Sequence, residues 1–137
     1  LATRKQPTVP QAAFSRFSIV SPDNVTLLAD GVSSRISPDG RSLAFAASAS
    51  GTVSLWVRPM DSLIARPLRG TEDGAIPFWS YDGRTLTYFG NGKLMKIAIA
   101  GGAPEAICNA GDGRGGTWNR EGVIVFAPEA AGPIYRV

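Results

Sequence analysis

Apolar positions along the chain come in short runs, each closed by a polar corner, and three of those corners are versions of one another. Ser37-Pro38-Asp39-Gly40-Arg41 returns as Ser80-Tyr81-Asp82-Gly83-Arg84 and, more loosely, as Asn119-Arg120-Glu121-Gly122. Successive corner glycines are 43 and 39 residues apart, a period that marks stacked or circular repeats. One apolar run precedes each corner (residues 32–36, 75–79 and 115–118) and a second follows it (42–47, 85–89 and 123–126). A third run recurs at 53–57, 93–99 and 133–137, and a fourth at 64–68 and 104–108 only.

The corner chemistry predicts hairpins. Ser37, Ser80 or Asn119 can bond back onto the turn's own backbone, while Pro38 presets φ at the second position and Asp39 or Asp82 suits the third. Gly40, Gly83 and Gly122 then stand where a three-residue hairpin loop needs a left-handed residue. A helix-cap reading fails because no apolar spacing of 3.6 follows any corner. Asn91-Gly92 is a two-residue hairpin signal between the second and third runs of the middle repeat.

Runs two to a repeat, such as Leu43-Ala-Phe-Ala46, are apolar at consecutive positions, so those strands are expected to be buried on both faces. Four antiparallel strands per ~40 residues, covered on both sides, predict an all-β chain and an incomplete β-propeller of about three blades. A single sandwich would leave one wet face per strand. The expected blades run from about 31 to 69, 74 to 109 and 115 to 137, the last lacking its outer strand. Prolines at 67 and 104 fit outer edges, where a missing N–H costs no ladder bond. Residues 14–20 and 25–28 are predicted strands of a flanking blade, joined by a turn at 21–24, and residues 1–13 read as a tether. Three blades do not close a ring, so either further blades in cis or self-association is expected.

Composition then removes most chemistries. The charge is 14 basic against 11 acidic, +3 overall and scattered, which argues against nucleic acid as a partner. No histidine is present and Cys108 is the only cysteine, which excludes Ser-His and Cys-His nucleophile pairs and the usual zinc sets. No acidic spacing resembles a calcium loop, so no metal is expected. Gly111-Asp-Gly-Arg-Gly-Gly116 satisfies G-x-G-x-x-G but leads into a strand rather than a helix, so it is expected to be an inter-blade loop and no cofactor is predicted. Ser37 and Ser80 lack a base and a G-x-S-x-G frame, so no catalytic residue is assigned and the chain itself is not expected to be an enzyme. Trp56, Trp79 and Trp118 could form an aromatic binding surface, although their recurrence at strand positions favours packing between blades for Trp79 and Trp118. The loops at 69–74 and 109–116 should gather on one face, where Glu72, Asp73, Asp112 and Arg114 are the candidate contacts for a protein or small ligand.

Residues 35–45, 77–88 and 92–97 resemble the TolB-like family of WD-like, PDG-motif propeller repeats, whose blades carry W-S-P-D-G-[KR]-x-[IL]-A-[FY]. A narrower likeness lies in Arg16-Phe-Ser-Ile19, Pro77-Phe-Trp-Ser80 and Gly115-Gly-Thr-Trp118, which resemble the C-terminal extracytoplasmic propeller of bacterial transmembrane serine/threonine kinases. That resemblance implies a sensor or interaction domain in the periplasm or at the cell surface, tied to a membrane only through parent sequence outside this chain. No H-R-D, D-F-G or V-A-I-K motif is present, so any kinase activity would belong to the parent. The chain opens at Leu1 and reads as a piece of something longer. Similar propellers also gate serine hydrolases of the prolyl oligopeptidase family, or act as free periplasmic interaction proteins.

Overall fold

The computed structural model describes residue 2 and residues 16–28 and 33–137, and its described residues contain strands and turns without helices. The strands are β1 (Val25–Leu27), β2 (Ser34–Ile36), β3 (Ser42–Ala49), β4 (Thr52–Pro59), β5 (Arg66–Pro67), β6 (Ala75–Trp79), β7 (Thr85–Gly90), β8 (Lys93–Ala98), β9 (Glu105–Asn109), β10 (Gly115–Trp118), β11 (Ile124–Ala127) and β12 (Tyr135–Arg136). They form three antiparallel sheets in sequence order: β1 to β5, β6-β7-β8-β9, and β10-β11-β12. Apart from β1, which pairs with β3, each sheet is an up-and-down meander about its Gly corner, and the third sheet has three strands. The architecture is that of a partial β-propeller.

Two expectations about the N-terminal part need correction. Val25–Leu27 does not serve a flanking blade: it pairs with Ala47–Ala49 of β3, while β2 pairs with Leu43–Phe45 along the same edge. Two short strands thus share one long one. Residues 16–20 form no strand either; Ile19 instead packs its side chain over the flank of the first sheet. Phe14, Ser15, residue 32 and all of the 1–13 tether except Ala2 lie outside the described residues.

Side-chain alternation places one apolar row on each face of the central strands. Ala44, Ala46, Leu55, Val57 and Leu68 of the first sheet meet Trp79, Leu86, Tyr88 and Ile97 of the second. From the opposite face of the second sheet, Phe78, Phe89 and Leu94 meet Ile124 and Phe126 of the third. Leu55, Leu86 and Leu94 are fully buried, each contributing about 2–3 kcal/mol of burial. A third cluster, Leu43, Phe45, Ala47 and Trp56, covers the free flank of the first sheet, with Ile19, Val25 and Leu27 packed over it. On that flank the Trp56 indole N–H and the Arg58 Nε are buried without a hydrogen-bond partner.

Among the described residues, Asn24, Ser50, Asp73, Ile76 and Asn91 have positive φ without being glycine, and Ile76 is the β-branched one of the five. Ile76, at a bulge in β6, has φ +53°, a left-handed value that costs a β-branched residue about 1–2 kcal/mol. The bulge turns β6 so that Pro77 and Phe78 bury while Ile76 stays half-exposed.

Candidate functional site

Two faces of the sheet stack carry polar side chains, and they are built differently. On the loop face, the chain passes from one sheet to the next through residues 69–74 and 109–116. Thr71 anchors the first of these loops: wholly buried, its hydroxyl donates to the Leu68 carbonyl at 2.6 Å and accepts the Leu55 N–H at 3.0 Å. The Asp73 N–H donates to the Val53 carbonyl at 2.9 Å. Gly74 lies so close to the Tyr88 ring that a Cβ there would meet it at 3.0 Å and the Thr71 carbonyl at 2.7 Å. Burial, with the nearby Glu72 charge adding to it, pushes the Tyr88 hydroxyl up to about 12, so it stays protonated across the working range.

The second loop is fixed by the same means. Ala110 N–H donates to the Gly92 carbonyl and Arg114 N–H to the Ala127 carbonyl, both at 2.9 Å. Gly113 rests on Phe89 and Gly116 on Phe78; a Cβ at either would come within 2.1 Å or 2.6 Å of those rings. Glycine is required here for close approach. Asp112 and Arg114 form an exposed ion pair at 2.5 Å, and Asp112 sits at the rim of a cleft of about 510 Å³ lined also by Asn109, Phe126, Glu129 and Tyr135.

Glu72, Asp73, Asp112 and Arg114 are therefore all exposed on inter-sheet loops. Glu72 bonds within its own loop, accepting the Gly70 N–H at 3.3 Å, and no hydrogen bond or ion pair among the described residues joins the Glu72–Asp73 pair to Asp112–Arg114. They form two separate presentations, one over each junction. The described residues contain no group of three or more His, Cys, Asp or Glu side chains placed to hold a metal. Burial pushes the half-buried Cys108 thiol upward, which lowers its reactivity.

On the opposite, corner face the first two turns are near-copies. Ser37 Oγ donates to Asp39 Oδ1 at 2.6 Å and accepts the Ser42 N–H at 2.9 Å, while Arg41 N–H donates to Asp39 Oδ1 at 3.0 Å. Ser80, Asp82, Arg84 and Thr85 repeat the set at 2.6, 3.0 and 3.0 Å. The serine hydroxyl, then the backbone N–H, hold both carboxyls below their ordinary 3.8. Asn119 does this work alone in the third corner, its Oδ1 accepting the Val123 N–H at 2.9 Å. Gly40, Gly83 and Gly122 have φ of +72°, +68° and +85°. Serine oxygens occupied in this way close turns, and the only base beside each is an aspartate whose carboxyl is held below its ordinary value.

The corner face also holds a groove that the residue pattern alone did not disclose. Trp79 and Trp118 precede the second and third corners at matching positions. The Trp79 indole is buried and donates to the Arg35 carbonyl of the first sheet at 3.0 Å. Trp118 is less enclosed; it packs against the second core cluster and also lines two clefts, one with Tyr81 and Arg120, the other with Lys96 and Glu105. The signals that could have pointed there are the one-residue deletion after Gly122 and the Gly115-Gly116 pair before Trp118, both departures from the other two repeats.

No protein-family model and no curated protein sequence matches the chain. Among solved structures it is similar to one described as "putative TolB from Agrobacterium tumefaciens", with a TM-score of 0.59 and 21% identity over 66% of this chain and 35% of that one. The chain thus spans about a third of that structure's length. At this identity the likeness establishes the fold, a TolB-like β-propeller.

Proposed function

We propose that the chain is a non-catalytic propeller scaffold whose inter-sheet loops form a binding face for a protein or small ligand. The observation that carries this reading is the anchoring of both loops: buried Thr71 under one, and Gly113 and Gly116 seated on Phe89 and Phe78 under the other. A loop already held in place loses little conformational freedom when a partner docks, so Glu72, Asp73, Asp112 and Arg114 offer their charges at low ordering cost. The finer assignment, a sensor or interaction domain of a bacterial membrane serine/threonine kinase, rests on the resemblance of Arg16-Phe-Ser-Ile19, Pro77-Phe-Trp-Ser80 and Gly115-Gly-Thr-Trp118. It would put the propeller outside the cytoplasm, with the membrane and the kinase contributed by other parent sequence. A kinase sequence upstream in the full reading frame supports that assignment; an α/β-hydrolase sequence downstream contradicts it.

The binding role is tested by selecting displayed peptides on the immobilised chain and re-measuring their affinity for two double variants, Glu72→Ala/Asp73→Ala and Asp112→Ala/Arg114→Ala. Loss of exposed charged contacts should weaken the selected peptides by roughly tenfold in at least one variant. Peptides indifferent to both variants would remove the loop face as the site.

A further inference from the structure

We propose that the flank of the first sheet, around Arg58 and Trp56, is a docking face for an extended acidic segment of a partner protein, and that residues 16–20 are the cover which that segment displaces. The flank is built on β3 and β4, away from the inter-sheet loops, so the inference does not depend on the loop-face reading.

The observation that carries it is a pair of buried donors with nothing to bond. Trp56 and Arg58 are alternate residues of β4, so they share one face of the sheet, where Phe45 and Leu43 of β3 stand opposite them. Arg58 is 4% and Trp56 8% exposed, yet the Arg58 Nε and the Trp56 indole N–H have no hydrogen-bond partner. Arg58 makes no ion pair among the described residues, and Asp61, three positions on, is exposed. A buried cation without a counter-charge is costly, and a native chain that keeps one calls for an explanation.

Packing does not supply it. In the second sheet the matching positions are Met95 and Ile97, opposite Tyr88 and Leu86, and they pack against the first sheet as apolar side chains. Apolar residues therefore suffice there to build a seam. On the first flank they are replaced by two donors, one of them positive, and a carboxylate is the group that satisfies both charge and hydrogen bonding.

The present cover brings no carboxylate. Ile19, Val25, Leu27, Ala49, Met60 and Ala65 are the partly buried residues packed over this flank, and the first twenty residues of the chain contain no Asp or Glu. Residues 16–20 join no ladder, and Ile19 alone among them is turned inward while Phe17 and Val20 are exposed. A segment with so few buried contacts opens at low cost. Beside it, exposed Val20, Leu63 and Ile64 line a cleft of about 400 Å³ with Ala65, so apolar surface continues outward from the flank. Alternate residues of an extended segment lie about 6.7 Å apart, the spacing that also separates Trp56 from Arg58, so such a segment can set an apolar side chain on one and a carboxylate over the other.

The test is a titration of the ¹⁵N-labelled chain with Ac-Ile-Ser-Glu-Ser-Ile-Ser-Glu-Ser-Ile-amide, one side of which alternates isoleucine and glutamate, against the same peptide with glutamine in place of glutamate. The glutamate peptide should shift the Trp56 indole resonance saturably, leave that of Trp79 in place, and move the amides of residues 17–20 to the positions of an unstructured segment. The glutamine peptide should bind roughly tenfold more weakly. Arg58→Leu should erase the difference between the two peptides and, because it removes an unpaired buried charge, leave the free chain at least as stable in chemical denaturation. Ile19→Ser, which loosens the cover without touching Arg58, should tighten the glutamate peptide about fivefold. The proposal is overturned by an unmoved Trp56 indole, by equal binding of the two peptides, by residues 17–20 staying in place, or by a glutamate preference that survives Arg58→Leu. An Arg58→Leu chain less stable than the parent, or an Ile19→Ser chain that binds no more tightly, overturns it as well.

Discussion

The two seams between neighbouring sheets use the same repeat positions and close to different extents. At the first, Ala44, Ala46, Leu55 and Val57 lie flat against Trp79, Leu86, Tyr88 and Ile97, and the seam is pinned at both ends of the strands. Trp79 donates to the Arg35 carbonyl near the corner, and Arg66 donates to the Ile99 carbonyl at 2.5 Å near the outer rim. At the second, an aromatic series runs from Phe78 to Phe89 to Phe126 to Tyr135 with ring centroids 6.3, 6.3 and 5.9 Å apart, and glycines replace side chains where the loop crosses it. This seam is tight toward the loop face, and at the corner Trp118 packs against the same core but is less enclosed than Trp79 and makes no hydrogen bond to the neighbouring sheet. The difference shows how a repeat architecture varies: the geometry of the stack is kept, while the cross-sheet hydrogen bond at one repeat position is present in the first seam and absent in the second.

The largest test of that contrast is truncation on either side of it. Leu86→Ala in the first seam and Leu94→Ala in the second remove wholly buried side chains and should each cost about 2–5 kcal/mol in chemical denaturation. A much smaller cost for Leu94 would mean that the third sheet is not docked on the second.

Next is the close approach peculiar to the second seam. Gly113→Ala forces a methyl into the Phe89 ring and should destabilise by about 1–3 kcal/mol, whereas Gly111→Ala, with nothing within 4 Å, should be close to neutral. Equal effects at the two positions would remove the tight end of that seam. The tryptophan pair follows. Trp79→Phe leaves the Arg35 carbonyl without its donor and should cost about 1–2 kcal/mol, against less than about 0.5 kcal/mol for Trp118→Phe.

The smallest effect is acid. Asp39 and Asp82 have folded values below the ordinary 3.8, so their contribution is present above that value and is lost as pH falls through the lowered ones. Amide exchange should therefore quicken at Ser42 and Thr85 on acidification, beyond the intrinsic pH trend, while Val123, held by the neutral Asn119 amide, keeps its protection. Loss of protection at all three together would mean that the corners do not open singly.

Much of the fold was legible because each repeat states its strand order through a turn whose chemistry is local: a hydroxyl or amide, an acid, then a glycine. The all-β class and the three-sheet stack follow from that spacing and from the doubly apolar central strands. The N-terminal part was not legible, since apolar alternation in residues 14–20 indicates a capacity to pair and says nothing of whether an edge is free. Ile19 packs on the first flank without any ladder, and β1 takes the remaining stretch of β3. The tryptophan pair is the least legible part. Trp79 and Trp118 look equivalent in sequence, and only the neighbouring sheet decides that one indole is buried and hydrogen-bonded and the other is partly exposed without an acceptor among the described residues.

Hydrogen exchange at the indole nitrogens tests the clasping of sheet on sheet most directly, because the Trp79 bond to Arg35 exists only if the first and second sheets are adjacent blades. The account predicts that the Trp79 indole exchanges only on global unfolding and that the Trp118 indole, partly buried and without an acceptor among the described residues, exchanges well before it. A Trp79 indole as labile as that of Trp118 would contradict it.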